Sequence, residues 1–156
     1  MATLHPWKRK VFVDTEFSDL DAPVLLSIAM VAEDGAEFYA EMSDFSTSGC
    51  SEFVRTFVIP QLGRYPDRVM SSHEASNQLC NWMEKLKTSR QRPVICYDHP
   101  VDVQLLTRLI EKKPSSWQLE NISARLDVER REQYFALYGG RHHALHDARA
   151  NRAAYR

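Results

Sequence analysis

The residues with the most chemical potential lie towards the two ends of the chain. Val11-Phe12-Val13-Asp14-Thr15-Glu16-Phe17 runs strand-favouring apolar residues straight into two acids spaced i and i+2. In an extended backbone successive side chains alternate between faces, so Asp14 and Glu16 point the same way. Two carboxylates held close repel, and one must take up a proton or a cation must neutralise the pair. At the far end, His142-His143-Ala144-Leu145-His146-Asp147-Ala148 offers another acid and three imidazoles. Hard carboxylate oxygens suit Mg²⁺ or Mn²⁺, and an imidazole can move a proton near neutral pH. Together the two ends read as a metal-dependent phosphodiesterase site. Singly they have plainer explanations: a D-x-E at a strand end is usually solvated, and an aspartate at a helix start is usually a cap or dipole partner.

The elements that must position these residues are legible in outline. Lys10–Asp14 reads as a first strand and Leu25–Ala32 as a second, nearly continuous apolar one. Asp34-Gly35 then gives a hairpin cue before a third strand over Ala36–Glu41. Ser43–Ser51 reads as a loop, Glu52–Ile59 as a short helix stopped by Pro60, and Leu62–Met70 as irregular. Ser71 and Glu74 have capping-box spacing, and Ala75, Leu79, Trp82, Met83 and Leu86 behind them mark one face of a helix. Val94–Tyr97 is a short buried strand ending at Asp98. Pro100 suits the first turn of a helix, which buries Val101, Leu105, Leu106, Leu109 and Ile110 and closes at Lys112-Lys113-Pro114. Asp98 and Asp102 therefore sit where a strand hands over to a helix, an edge where a crevice forms. A weak strand over Trp117–Ile122 follows, then a helix capped by Asp127 and stopped by Gly139-Gly140, then a small-residue helix from Ala144 to Tyr155 with Asp147 in its first turn. His142 precedes that last helix, on a loop free to swing over the site when substrate binds. The order is mixed α/β, an antiparallel half joined to a parallel half and layered by helices.

Composition bounds the rest. The chain's 156 residues predict one domain, over 1–156, and 44% apolar residues with 10% aromatics exclude a disordered polypeptide. A run of about 18 apolar residues, as a membrane span needs, is absent, and so is a basic-then-apolar leader. Three cysteines without C-x-x-C spacing read as reduced thiols of a cytoplasmic protein. With 20 Lys+Arg against 21 Asp+Glu, a broad basic face for coating duplex DNA is excluded, though a grip on the last few nucleotides of a strand is not. The small basic groups (Lys8-Arg9-Lys10, Arg90 with Arg92, Arg149 with Arg152) read as solvated faces.

D-x-E on a first strand, Asp at a strand–helix junction and H-x4-D opening the last helix resemble, in order and separation, the DEDDh group of 3′–5′ exonucleases. Asp14-Thr15-Glu16-Phe17, the run Leu26–Gly35 and His142–Arg149 look most like the compact bacterial exoribonucleases related to ribonuclease T. The resemblance spans nearly the whole chain and implies a ribonuclease-H-like fold. It implies that Asp14, Glu16, Asp102 and Asp147 hold two divalent cations, Mg²⁺ or Mn²⁺, and that His142 is the general base. It further implies that Phe17 and Thr15 contact the terminal nucleotide, and that single-stranded RNA or DNA is cut from its 3′ end to nucleoside 5′-monophosphates. Relatives of this kind often dimerise, and a short last helix leaves room for a partner copy.

In one position the chain departs from the family. Asp98 stands four residues before Asp102, where the family usually carries Asn; it can tighten metal binding, orient a neighbour, or itself be the ligand. Two rivals remain. Metal phosphohydrolases with an H…HD…D set share the His146-Asp147 dipeptide, but their fold is all-helical. A catalytically inactive nucleic-acid-binding domain on the same fold would have no reason to keep repelling acids together.

Overall fold

The structure, a computed structural model, describes residues 8–87, 91–113 and 116–156. Among the described residues six strands form one sheet: β1 Lys8–Phe17, β2 Leu25–Ala32, β3 Glu37–Met42, β4 Val69–Met70, β5 Arg92–Tyr97 and β6 Gln118–Asn121. The α-helices α1 Ser72–Leu86, α2 Pro100–Ile110, α3 Val128–Tyr138 and α4 Ala144–Ala154 cover it. The strand order is β4-β3-β2-β1-β5-β6. β1 to β3 are antiparallel, and β5 and β6 run parallel to β1, which gives the expected mixed sheet.

β1 lies near the middle and is buried on both faces, which is why its centre reads as a continuous apolar run. Val11 and Val13 face a core shared with Leu79 and Met83 of α1 and Leu106 of α2. Phe12 faces the other layer, against Val94, Cys96 and Ile122. By the same alternation Asp14 and Glu16 lie on the Phe12 face and Thr15 on the α1/α2 face. The β2–β3 turn falls at Asp34-Gly35, with Gly35 at φ +96. α1 starts as expected, its cap Ser71 accepting the Glu74 N–H at 3.2 Å. α4 is rich in alanine, so its axis can come close to the sheet. Ala144, Leu145 and Ala148 pack on Ala29, Val31 and Tyr39, which sets Asp147 beside β1.

Two stretches differ from expectation. The helix expected over Glu52–Ile59 starts regularly, then widens into a π turn, Val54–Val58, in which Ile59 N–H donates to Val54 O. Pro60 does not stop it but sits inside a following 3₁₀ turn, Ile59–Gln61, where a missing N–H costs nothing. Val54 and Val58 are buried with Leu26 and Cys50, which leaves Phe53 and Phe57 each 50% exposed. The stretch Leu62–Met70, expected to be irregular, carries a 3₁₀ turn at Pro66–Arg68 and then β4, which pairs with β3 at Glu41 and Met42. Two residues are too few to show a period. Pro114 and Arg90 lie outside the described residues.

Candidate active site

The strand register brings the acids together. β1 and β5 pair in parallel up to Phe12 and Cys96, and two residues further on come Asp14, still within β1, and Asp98, just past the end of β5. β1 also bulges between Glu16 and Phe17 against β2, a device that re-aims side chains at a strand end. Asp102 is the third residue of α2, after the cap His99, whose Nδ1 accepts the Val101 N–H. Asp147 lies in the first turn of α4.

Ligand oxygens of Asp14, Glu16 and Asp147 lie within 4.8 Å of one another, and so do those of Asp14, Asp98 and Asp102. The two groups share Asp14. Burial, then the charges of Asp147, Asp102 and Glu16, hold the Asp14 carboxyl well above the ordinary carboxylate range. Glu16 is pushed up to about 9, by burial and then by Asp147. Asp102 rises to about 7 through burial, against which the Thr15 hydrogen bonds work. Asp147 rises to about 6 through burial, opposed by the Arg131 charge. Asp14 Oδ2, Asp102 Oδ2 and Asp147 Oδ1 are buried and have no hydrogen-bond partner among the described residues. Orphaned, mutually repelling oxygens with all-oxygen chemistry are what hard divalent cations require, so the set fits such ions.

Sequence reasoning left the middle ligand open between Asp98 and Asp102, and both are brought to the site. Asp102 is held firmly, its Oδ1 accepting the Thr15 N–H at 3.1 Å and the Thr15 hydroxyl at 2.7 Å. That gives Thr15, expected to contact substrate, another partner: its hydroxyl is buried and positions Asp102. Asp98 faces Arg131 of α3 at 3.6 Å. Phe17 is half-buried just past the bulge.

The three histidines have different surroundings. His142 has a left-handed backbone, φ +65, and its ring meets the edge of Phe53 at 4.9 Å between centroids. Burial, then the charges of Arg141 and Arg131, lower its pKa, so the imidazole is neutral at neutral pH. His143, the α4 cap residue, is 1% exposed with Nε2 3.1 Å from the Tyr39 hydroxyl. His146 packs against Gly140 and edge-on to His143. Neither His143 nor His146 joins either acid group among the described residues.

Four residues around the site were not singled out in the sequence: Phe53, Phe57, Tyr39 and Arg131. The i, i+4 spacing of the two phenylalanines was a usable signal, and it marks an exposed face rather than a buried one. A cleft of about 510 Å³ between α1, α2 and the start of β2, lined by Val24, Asp44, His73 and Arg108 among others, contains none of Asp14, Glu16, Asp98, Asp102 and Asp147.

No family model matches the chain. A 54-residue stretch is 44% identical to 3′-5′ exoribonucleases from two strains of Mycobacterium tuberculosis. The match spans 34% of this chain and 32% of each relative. Over 94% of its length the chain superimposes on the nuclease domain of 3′hExo, a DEDDh family member solved with rAMP, with a TM-score of 0.57, 13% identity and 88% of that chain covered. It superimposes equally on E. coli Exonuclease I in complex with an oligonucleotide (TM-score 0.59, 14% identity, 39% of that chain). Cell-death related nuclease 4 gives a TM-score of 0.56 at 15% identity, over 62% of that chain. The fold is that of the DEDDh 3′-exonucleases, and the resemblance expected from the three motifs is borne out.

Proposed function

We propose that this chain is a metal-dependent 3′–5′ exonuclease that removes nucleoside 5′-monophosphates from single-stranded nucleic acid, with RNA preferred. The observation that carries it is the pair of three-acid groups sharing Asp14. Asp14, Glu16 and Asp147 would hold one divalent cation, and Asp14 with Asp102 the other, Asp98 adding charge beside it. Bound there, two such ions supply an activated water and stabilise the leaving 3′-oxygen.

The chain's own residues do the rest. His142 takes the proton from the attacking water on its neutral imidazole, as a base with a pKa at or below neutrality can. The P–O3′ bond breaks, the terminal nucleotide leaves as a 5′-monophosphate, and the shortened strand keeps a 3′-hydroxyl. Phe17, with the exposed rings of Phe53 and Phe57 beside His142, offers stacking surfaces for the terminal bases, worth roughly 1–3 kcal/mol per base and tolerant of sequence. Preference for RNA rests on the names of the tuberculosis relatives. A cytoplasmic setting, in keeping with the free thiols Cys50, Cys80 and Cys96, and a homodimer belong to the same proposal. No helix among the described residues is long and apolar enough to cross a membrane.

The test is digestion of matched single-stranded RNA and DNA, labelled at the 5′ end, with Mg²⁺ or Mn²⁺ and with chelator. A ladder receding from the 3′ end, abolished by chelation and faster on RNA, is expected. Internal cuts, or activity that survives exhaustive chelation, would sink the proposal; tight binding without turnover would mark a binding domain instead.

A further inference from the structure

We propose that Tyr39, Glu41 and Gln61 are positioning residues for the hydrolysis: they brace the two neighbours of His142 and so fix where its imidazole is presented. The inference rests on His142 being the base. A non-glycine residue keeps a left-handed backbone such as its φ of +65 only where surrounding structure imposes it. On the preceding side, the Gln61 side-chain amide donates to Arg141 O at 2.5 Å and to Phe57 O at 2.9 Å, tying the loop to the π turn. The Arg141 guanidinium is itself anchored on α3, to Glu132 at 2.6 Å and over the Phe135 ring at 4.4 Å.

On the following side, the Tyr39 hydroxyl donates to Glu41 Oε1 at 2.6 Å. A hydroxyl has one proton, so towards His143 its oxygen must accept, and His143 donates from Nε2 across 3.1 Å. Glu41 also accepts the Gly63 N–H, at 2.9 Å to Oε2. The donors therefore converge on Glu41, from the residue after His142 through Tyr39 on one side and from Gly63, two residues after Gln61, on the other. Tyr39, Glu41 and His143 are 5%, 3% and 1% exposed. Well-packed apolar residues of like volume would be at least as stable there, so a buried polar relay is better explained by the orientation it enforces. On this proposal the loop, expected to swing over the site when substrate binds, is pinned on both flanks of the base, with the Phe53 and His142 rings packed edge to face between them.

The experiment compares Tyr39→Phe, Gln61→Ala, His142→Ala and the His142→Ala/Tyr39→Phe double variant by single-turnover cleavage, divalent-cation titration and hydrogen exchange of residues 139–147. Tyr39→Phe keeps the ring packing, and Gln61→Ala at the surface keeps the idea testable should Tyr39→Phe fold poorly. Each brace variant should lower kcat roughly 10–100-fold, the scale of a small misplacement, with KM and cation affinity at wild-type values and faster exchange at 139–143. In the His142→Ala background, Tyr39→Phe should add no further loss. Normal kcat or unchanged exchange in the brace variants, with His142→Ala slow, overturns the brace and leaves the base standing. A loss that persists in full in the double variant overturns it too, since the brace would act elsewhere. A normal rate for His142→Ala removes the base, and the brace falls with it.

Discussion

His142 and His146 are the same side chain four residues apart, and their neighbours give them different work. Burial lowers the pKa of both, but His142 sits against Phe53 while His146 fills the space that a side chain at Gly140 would take. His142→Ala should lower kcat about 10²–10⁴-fold, the usual contribution of a general base, with divalent-cation affinity unchanged, and His146→Ala should cost far less. Single-turnover rates across neutral pH check this; a loss confined to His146→Ala would reverse the assignment. Asp102→Asn should stop turnover, whereas Asp98→Asn should chiefly weaken cation affinity, as calorimetric titration would show. If Asp98→Asn is dead and Asp102→Asn active, the ligand is Asp98. The acids were legible because i, i+2 spacing on a strand and an acid in a helix's first turn have fixed geometric meaning. What Thr15 does was not, because its partner Asp102 lies 87 residues away and no local pattern names it.

At the scale of elements, the loop Gly139–His143 joins α3 to α4 and carries His142. Gly140 has φ +81, and a Cβ there would stand 2.3 Å from His146 Cγ. Gly139 has φ +64 but open space around it. Gly140→Ala should therefore destabilise more than Gly139→Ala, by about 1–3 kcal/mol of overpacking added to a shared backbone cost. Equal melting temperatures for the two variants would contradict the contact. Long elements could be read from the sequence because apolar runs, Asp34-Gly35, Ser71 and Asp127 are signals repeated over many residues. β4 and the π turn escaped because each spans too few residues for a period, and both depend on partners distant in sequence.

For the whole molecule, folding forces like charges together, and stability should report it. Asp147, Asp102 and Glu16 have folded pKa values raised to about 6, 7 and 9, above those of an unfolded chain. The folded state then holds more protons than the unfolded one, so with chelator present stability should be greatest at acid pH and fall as pH rises through those values. A divalent cation takes the protons' place, so its stabilising effect should grow from mildly acid to alkaline pH. Melting temperatures with chelator and with Mg²⁺ across that range decide it; a chelated protein that gains stability on alkalinisation would refute the charge cluster. The mixed topology was legible from element order, since three strands with short connections pair antiparallel while a strand–helix–strand sequence pairs parallel.

The outer rim of the sheet has a consequence of its own. β3 would otherwise present a row of free amides and carbonyls to any passing chain. Two residues of β4 pair with its last part, the Arg68 guanidinium takes the Tyr39 carbonyl at 2.7 Å, and Arg149 grips Glu37 at its start. At the opposite margin β6 is four residues long, and Lys10 and Tyr155 both fasten on Glu120. Among the described residues, neither margin offers a long template for intermolecular zippering.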